Sequence, residues 1–304
     1  MRASECFLLH SSPSFSHASL VETLPRDEIE RAVKLALAED IGSGDATTLA
    51  TVPKPLRTRA SIVAREPMVV AGLDLAVAAF ESLSSDVHGE RLAKEGQSVK
   101  EDQALLRLEG PARAILTAER VALNFVQRLS GIATLTAQFV EAIAGTRAQI
   151  LDTRKTTPGW RLFEKYAVRC GGGRNHRFGL FDMVLIKDNH LAALRDEKPN
   201  AITAAIARAR KEYPKLKVEV ETDTLEQVQQ AAEAGADVIL LDNMTPAELR
   251  AAVEMVRGRA KTEASGGISL ASVRIIAETG VDFISVGTLT HSARAMDIGL
   301  DFET

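Results

Sequence analysis

Val238-Ile239-Leu240-Leu241-Asp242-Asn243 is an apolar run closed by two polar residues, and the reading of the fold works outward from it. A short continuous apolar run bounded in this way suits a strand buried on both faces, as in a parallel sheet covered by helices. The same texture recurs on either side. Ile150-Leu151 precedes Asp152-Thr153-Arg154-Lys155, and Val184-Leu185-Ile186 precedes Lys187-Asp188-Asn189-His190. Val218 and Val220 alternate with Glu219 and Glu221. Thr262-Glu263-Ala264 leads into Ser265-Gly266-Gly267, and Phe283-Ile284-Ser285-Val286 into Gly287-Thr288. Helical patterns at Ala201–Glu212, Leu225–Ala234, Pro246–Val256 and Leu270–Thr279 separate the later runs. These runs recur every roughly 20–25 residues, the size of one βα unit of a barrel. Six strands fall short of eight, so residues 131–289 are expected to form a (β/α) barrel that is either incomplete or borrows a strand. A doubly wound open sheet is the alternative; against it, no Gly-x-Gly-x-x-Gly follows the first strand of a βαβ unit.

The first half has a different texture. Asp27 and Glu30 read as a capping-box-like helix start, with Ile29, Val33, Ala36 and Leu37 on one face. A glycine-broken acidic loop, Glu39 to Asp45, follows. Strand patterns at Ser61–Ala64 and Met68–Ala71 precede a helix over Leu73–Leu83. Gly96–Val99 and Leu105–Gly110 alternate like short antiparallel strands. From Ala112 to Ala144 the pattern is helical, with a break between two helices expected at Gly131. This half therefore reads as α+β. Residues 1–24 are serine-rich without a helical or strand period and are expected to be a disordered tail or an over-long start.

Composition excludes some functions. The 304 residues carry a net charge of −4, with 45% hydrophobic and 26% charged side chains, as expected of a globular protein. General nucleic-acid binding calls for a basic surplus, which is absent. No apolar run reaches the roughly 20 residues of a membrane span. Cys6 and Cys170 have neither metal-like spacing nor a disulfide framework around them, so a reducing cytosol is the default location.

Against that acidic background, Arg154 to Lys187 holds eight lysines and arginines and only two acids, Glu164 and Asp182. A local cationic excess of this kind focuses on a small polyanion, and arginine forks suit carboxylate and phosphate oxygens. Arg154, Lys155 and Lys187 stand at strand ends, where barrel chemistry sits. Arg161, Lys165 and Arg169 are a helical turn apart and can equally be read as a solvated helix face. By alternation Glu219 and Glu221 point the same way, so one of them is a candidate for burial with a partner such as Lys187. Glu221 and Asp242 can be read as ligands for Mg²⁺ or ribose hydroxyls, or as members of internal salt bridges. The glycine turns after the last two strands suit a phosphate cradle.

Several of these stretches resemble, in order, the motifs of the quinolinate phosphoribosyltransferase family. They are Asp152 to Gly159, Glu164 to Val168, Gly171 to Arg177, Leu185 to His190, Glu219-Val220-Glu221, Leu241 to Met244, Ser265 to Gly267 and Leu289 to Ser292. Glu39 to Asp45 and Glu119 to Phe125 extend the match, and Trp160 departs from it, standing where an aliphatic residue is expected. The resemblance implies an α/β sandwich, residues 25–130 joined by 290–304, packed with an incomplete barrel over 131–289, and a homodimer with shared active sites. It implies an enzyme of NAD biosynthesis that takes quinolinate and phosphoribosyl pyrophosphate, with Mg²⁺. It also assigns roles. Arg120 would reach the partner subunit's site. Thr153, Arg154, His176, Arg177 and Lys187 would bind quinolinate, and Lys155, Glu221 and Asp242 would engage phosphoribosyl pyrophosphate and the metal. Ser265, Gly266, Gly267, Gly287 and His291 would hold the 5′-phosphate, together with Lys155. The catalytic set would be Lys155, Lys187, Glu221 and Asp242. Rival readings are a Schiff-base aldolase built on Lys187, a repurposed oxyanion binder, and a nicotinate-specific relative.

Overall fold

The computed structural model describes residues 23–303, so most of the expected tail and Cys6 lie outside the described residues. The chain builds a small antiparallel-sheet unit and a parallel-sheet α/β unit. In the first half the helices are α1 (Arg26–Ile41), α2 (Ala46–Thr51), α3 (Leu73–Leu83) and α4 (Ala112–Ala142). The strands there are β1 (Arg57–Ala64), β2 (Met68–Val69), β3 (His88–Arg91), β4 (Ser98–Val99) and β5 (Ala104–Pro111). In the second half they are β6 (Gln149–Leu151), β7 (Val184–Ile186), β8 (Val218–Thr222), β9 (Val238–Asp242), β10 (Lys261–Ser265), β11 (Phe283–Ser285) and β12 (Ile298–Phe302). The remaining helices are α5 (Arg161–Cys170), α6 (Asp188–Ala193), α7 (Ala201–Glu212), α8 (Leu225–Glu233), α9 (Pro246–Val256), α10 (Leu270–Ala277) and α11 (Thr288–His291).

All six apolar runs form strands of one parallel sheet, in the order β6-β11-β10-β9-β8-β7. Strands β7 to β11 are thus laid down one after another, and β6 pairs with the last of them. That is the cyclic order of a barrel with its seam open between β6 and β7; a doubly wound sheet would reverse direction at its middle. Beside the seam, Arg174 forms a parallel bridge with Leu151, its N–H donating to Ile150. The strands bury Val218, Val220, Ile239, Leu241 and Ile284 completely.

The antiparallel sheet runs β12-β1-β5-β3, so the C-terminal strand returns to pair with β1. Four local expectations are corrected. The helix over residues 112–142 does not break at Gly131 but runs through it. The glycine is there because a Cβ would lie 1.9 Å from the carbonyl oxygen of Arg294, so only a bare backbone lets that loop cross the helix. β4 pairs with β2, and β5 with β1 and β3, so the two stretches around Gly96 and Leu105 are not partners of each other. The strand at Met68 is only two residues long. α1 starts at Arg26 without a side-chain cap, and Glu30 pairs with Arg26 at 2.8 Å. α4 lies between the two units, packing on α3 and on α5.

Candidate active site

Function at the C-terminal ends of parallel strands needs side chains carried past the last ladder bonds. Here those ends surround a cavity of about 440 Å³. After β6 it is lined by Thr153, Arg154 and Lys155, and after α5 by His176 and Arg177. Lys187, Glu221, Asp242 and Ser265 close it from the ends of β7, β8, β9 and β10. Nine expected site residues are therefore brought together. Arg120 lies apart, on the exposed face of α4. Gly266, Gly267, Gly287 and His291 lie just outside the lining; a Cβ on Gly287 would come 3.0 Å from Cδ of Lys155 and 3.3 Å from Nε2 of His291. Bare backbone thus lets Lys155 and His291 approach the same turn.

The cationic segment is held by a buried polar hub that sequence reasoning left without a role. Asp152 is fully buried and accepts from Lys165 Nζ at 2.5 Å, Asn175 Nδ2 at 2.7 Å and the His176 N–H at 2.8 Å. Burial pushes the Asp152 carboxyl up and the Lys165 ammonium down, while their attraction opposes both shifts. With these three donors converging on it, Asp152 remains the anion of a buried pair. Lys165 also donates to the His176 carbonyl at 3.1 Å, so α5 fixes where His176 and Arg177 leave the backbone. Only Arg169 of the three helical cations is exposed; Arg161 donates to Thr156 and to the Phe178 carbonyl. Trp160, the departure from the family pattern, stacks on Phe125 with ring centroids 5.2 Å apart.

The cations at the mouth are incompletely satisfied. The buried Nε of Arg154 has no hydrogen-bond partner among the described residues. Burial, and then the neighbouring Arg154, pull the Arg177 guanidinium below its ordinary value, against the opposing pull of Glu219 and Asp182. Lys187 Nζ donates to Glu221 at 3.2 Å, so the carboxylate that pairs with Lys187 is Glu221. Glu219 is the buried one, and its neighbour is His176 Nε2 at 2.9 Å. Asp242 accepts from Asn243 at 2.7 Å. Glu263, Ser285, Leu185 and Leu240 also line the cavity and were not anticipated. The available signal for Glu263 was an acid at the centre of a short strand whose neighbours on either side, Thr262 and Ala264, are small and buried.

A wider cleft of about 570 Å³ lies at the N-terminal ends of the same strands. Its charges satisfy one another, with Asp282 taking Lys261 at 2.9 Å and Arg147 at 3.4 Å, so it is not the focus of the chemistry. Among the described residues no helix is long and apolar enough to cross a membrane.

Comparison with known proteins agrees with this geometry. Residues 45–130 match the quinolinate phosphoribosyl transferase N-terminal domain, and residues 132–301 match its C-terminal domain. A relative from Mycobacterium leprae, named nicotinate-nucleotide pyrophosphorylase [carboxylating], is 45% identical and aligns over 90% of this chain and 97% of its own. The chloroplastic protein of that name from Arabidopsis thaliana is 44% identical over 92% of this chain and 84% of its own. The solved structure of the nicotinate-nucleotide pyrophosphorylase from Francisella tularensis superposes with a TM-score of 0.88, at 41% identity, over 93% of this chain and 99% of that one. In sequence, in domain composition and in fold, the chain belongs to the quinolinate phosphoribosyl transferase family.

Proposed function

We propose that this chain transfers phosphoribosyl from phosphoribosyl pyrophosphate to the ring nitrogen of quinolinate. Loss of CO₂ then gives nicotinate mononucleotide and pyrophosphate, a step of NAD biosynthesis. The observation that carries the reading is the convergence of Arg154, Lys155, Arg177 and Lys187 on one cavity, with Arg154 Nε left without an acceptor. A ring with two adjacent carboxylates fits such a surplus better than a monoacid does.

The residues divide the work. Arg154 and Arg177 anchor the carboxylates, with Lys187 and Thr153 beside them, and this fixes the ring nitrogen against the sugar. Lys155 neutralises phosphate charge, and Ser265, the glycines at 266, 267 and 287, and His291 cradle the 5′-phosphate. Glu221 and Asp242 fit Mg²⁺: both are carboxylates at neighbouring strand ends, oxygen donors of the kind a hard cation takes, facing the cavity where a pyrophosphate would lie. Bound there, the ion would offset the charge of the leaving pyrophosphate. Once the ring nitrogen is ribosylated its positive charge stabilises the carbanion left by CO₂, and the surrounding cations need only hold the ring still. We further infer a cytosolic homodimer in which Arg120, remote from its own cavity, completes the partner subunit's site. The aldolase alternative accounts for Lys187 and leaves the arginines unused.

The test is an assay with quinolinate, phosphoribosyl pyrophosphate and Mg²⁺ that follows nicotinate mononucleotide and CO₂ together. Both products in equal amounts are expected, and neither when quinolinate is replaced by nicotinate. Folded protein that produces neither from quinolinate would overturn the reading.

A further inference from the structure

Lys155 and His291 flank one turn: a Cβ on Gly287 would lie 3.0 Å from the Lys155 side chain and 3.3 Å from the His291 ring. Each sits on a short element, Lys155 in the loop after β6 and His291 at the end of the four-residue α11. The β6–β11 ladder aligns the two segments only as far as Leu151 and Val286. Among the described residues their last backbone hydrogen bond is the Val286 N–H to the Leu151 carbonyl, at 2.9 Å. Past that point the connection is made by Thr290, which is fully buried and whose hydroxyl donates to the Lys155 carbonyl at 2.7 Å. The Thr290 carbonyl in turn accepts from Nη2 of Arg128, on α4. Arg128 also donates to the Ala293 carbonyl at 2.8 Å and to the buried Glu164 of α5 at 2.9 Å. Glu164 accepts from the Thr157 hydroxyl at 2.9 Å and from its N–H at 3.1 Å. Thr157 is two residues past Lys155, so the links close into a circuit through Lys155, Thr290, Arg128, Glu164 and Thr157.

A closed circuit resists deformation better than the same bonds in a line, because no member turns without straining the next. This one is shielded from water at its centre, where each bond is electrostatically stronger than in solvent. The forked guanidinium of Arg128 takes a carboxylate and two carbonyls at once, which the point charge of a lysine does not match. The circuit therefore sets how far Lys155 stands from the Gly287–His291 turn. That distance matters to a ligand with a phosphate group at each end. Once one end is bound, the second contact is intramolecular, and its worth depends on the spacing of the two subsites.

We propose that Thr290, braced by Arg128 and Glu164, is a positioning residue that fixes the spacing between Lys155 and the Gly287–His291 turn for the substrate that bridges them. This rests on the reading of phosphoribosyl pyrophosphate as substrate, with its pyrophosphate at Lys155 and its 5′-phosphate at the turn. Thr290 is buried and does not line the cavity, so it acts through the Lys155 backbone on one side and α11 on the other. Loosening the circuit leaves each subsite able to take a single phosphate group and removes the gain from holding both. The quinolinate anchors depend on other contacts, since His176 is held by Asp152 and Lys165.

The experiment is steady-state turnover by wild type, Thr290→Val and Thr290→Ser, with Mg²⁺ present and with ribose 5-phosphate and pyrophosphate each tested as an inhibitor. Valine matches the shape of threonine and removes the donor, whereas serine keeps it. Thr290→Val is expected to raise KM for phosphoribosyl pyrophosphate about 10-fold, the order of one lost hydrogen bond, and by more than it lowers kcat. KM for quinolinate and the inhibition constants of the two fragments should move less than about 2-fold, because neither fragment spans both subsites. Thr290→Ser should recover most of the loss. If Thr290→Val fails to fold, Arg128→Lys, which keeps the charge opposite Glu164 but not the fork, carries the same comparison. An unchanged KM for phosphoribosyl pyrophosphate, an equal rise in the fragments' inhibition constants, or no recovery in Thr290→Ser would overturn this proposal alone. A folded wild type inactive with quinolinate and phosphoribosyl pyrophosphate would overturn it together with the substrate reading.

Discussion

Glu221 and Asp242 at the mouth, and Glu219 and Glu263 at the floor, are the same chemical group at two depths of one sheet. Along β8 the two levels are held by residues 219 and 221, which alternation turns to the same side. The mouth carboxylates are partly exposed and accept hydrogen bonds from Lys187 and Asn243. The floor carboxylates are buried, and among the described residues no hydrogen bond reaches either oxygen of Glu219 or Oε1 of Glu263. Depth therefore separates them: the mouth carboxylates have hydrogen-bond partners and face the open cavity, whereas the floor pair is closed in, and burial pushes the Glu263 carboxyl up. The Asp152–Lys165 pair shows a third outcome, in which burial is offset by a full set of donors.

Breaking the buried hub should have the largest effect. Asp152→Ala strands the Lys165 ammonium and is expected to cost about 3–5 kcal/mol, read from chemical denaturation. A loss below 1 kcal/mol would mean that the hub does not hold the site's floor in place. At the mouth, Arg154→Ala should leave the unfolding midpoint in place while weakening quinolinate binding by about 1.5–3 kcal/mol, on the order of 10- to 100-fold in Kd. Titration calorimetry measures it, and an unchanged Kd would remove Arg154 from the carboxylate site.

A subtler effect separates the two carboxylate levels by pH. The Glu263 carboxyl stands at about 8 against an ordinary 4.5. Between those values the folded chain keeps a proton that the unfolded chain releases. Its contribution to stability is therefore full below the ordinary value and is lost as pH rises toward the folded one. Glu263→Gln, neutral throughout, should flatten the decline in unfolding free energy across that window; an identical slope in both proteins would contradict a protonated floor. Smallest of all, Glu221→Gln should change stability by no more than about 0.5 kcal/mol, since its partner Lys187 is about half exposed, while abolishing the response of turnover to added Mg²⁺. A large loss of stability would mean that the mouth pair is structural.

Much of this was legible before any coordinates. The apolar runs ending in charge, such as Val184-Leu185-Ile186-Lys187, read directly as parallel strands because burial on both faces leaves no polar position until the strand ends. The residues that meet at the mouth were legible for the same reason. Gly131 was not, because a glycine in a helical pattern reads as a break, and only the Arg294 backbone crossing it shows that it permits close packing instead. Lys165 sat at a spacing typical of a solvated face, and what makes it structural is Asp152, thirteen positions earlier on another element. Glu219 and Glu263 lie far apart in the chain, and their proximity follows only from the strand order, so it could not be read from either alone.

The most direct test of the account is calorimetric titration of the folded protein with quinolinate and with nicotinate under identical conditions. The cavity's surplus of cations predicts that the dicarboxylate binds at least about 10-fold more tightly, the worth of one further charge-assisted contact. Equal affinity for the two acids would contradict a site built for adjacent carboxylates.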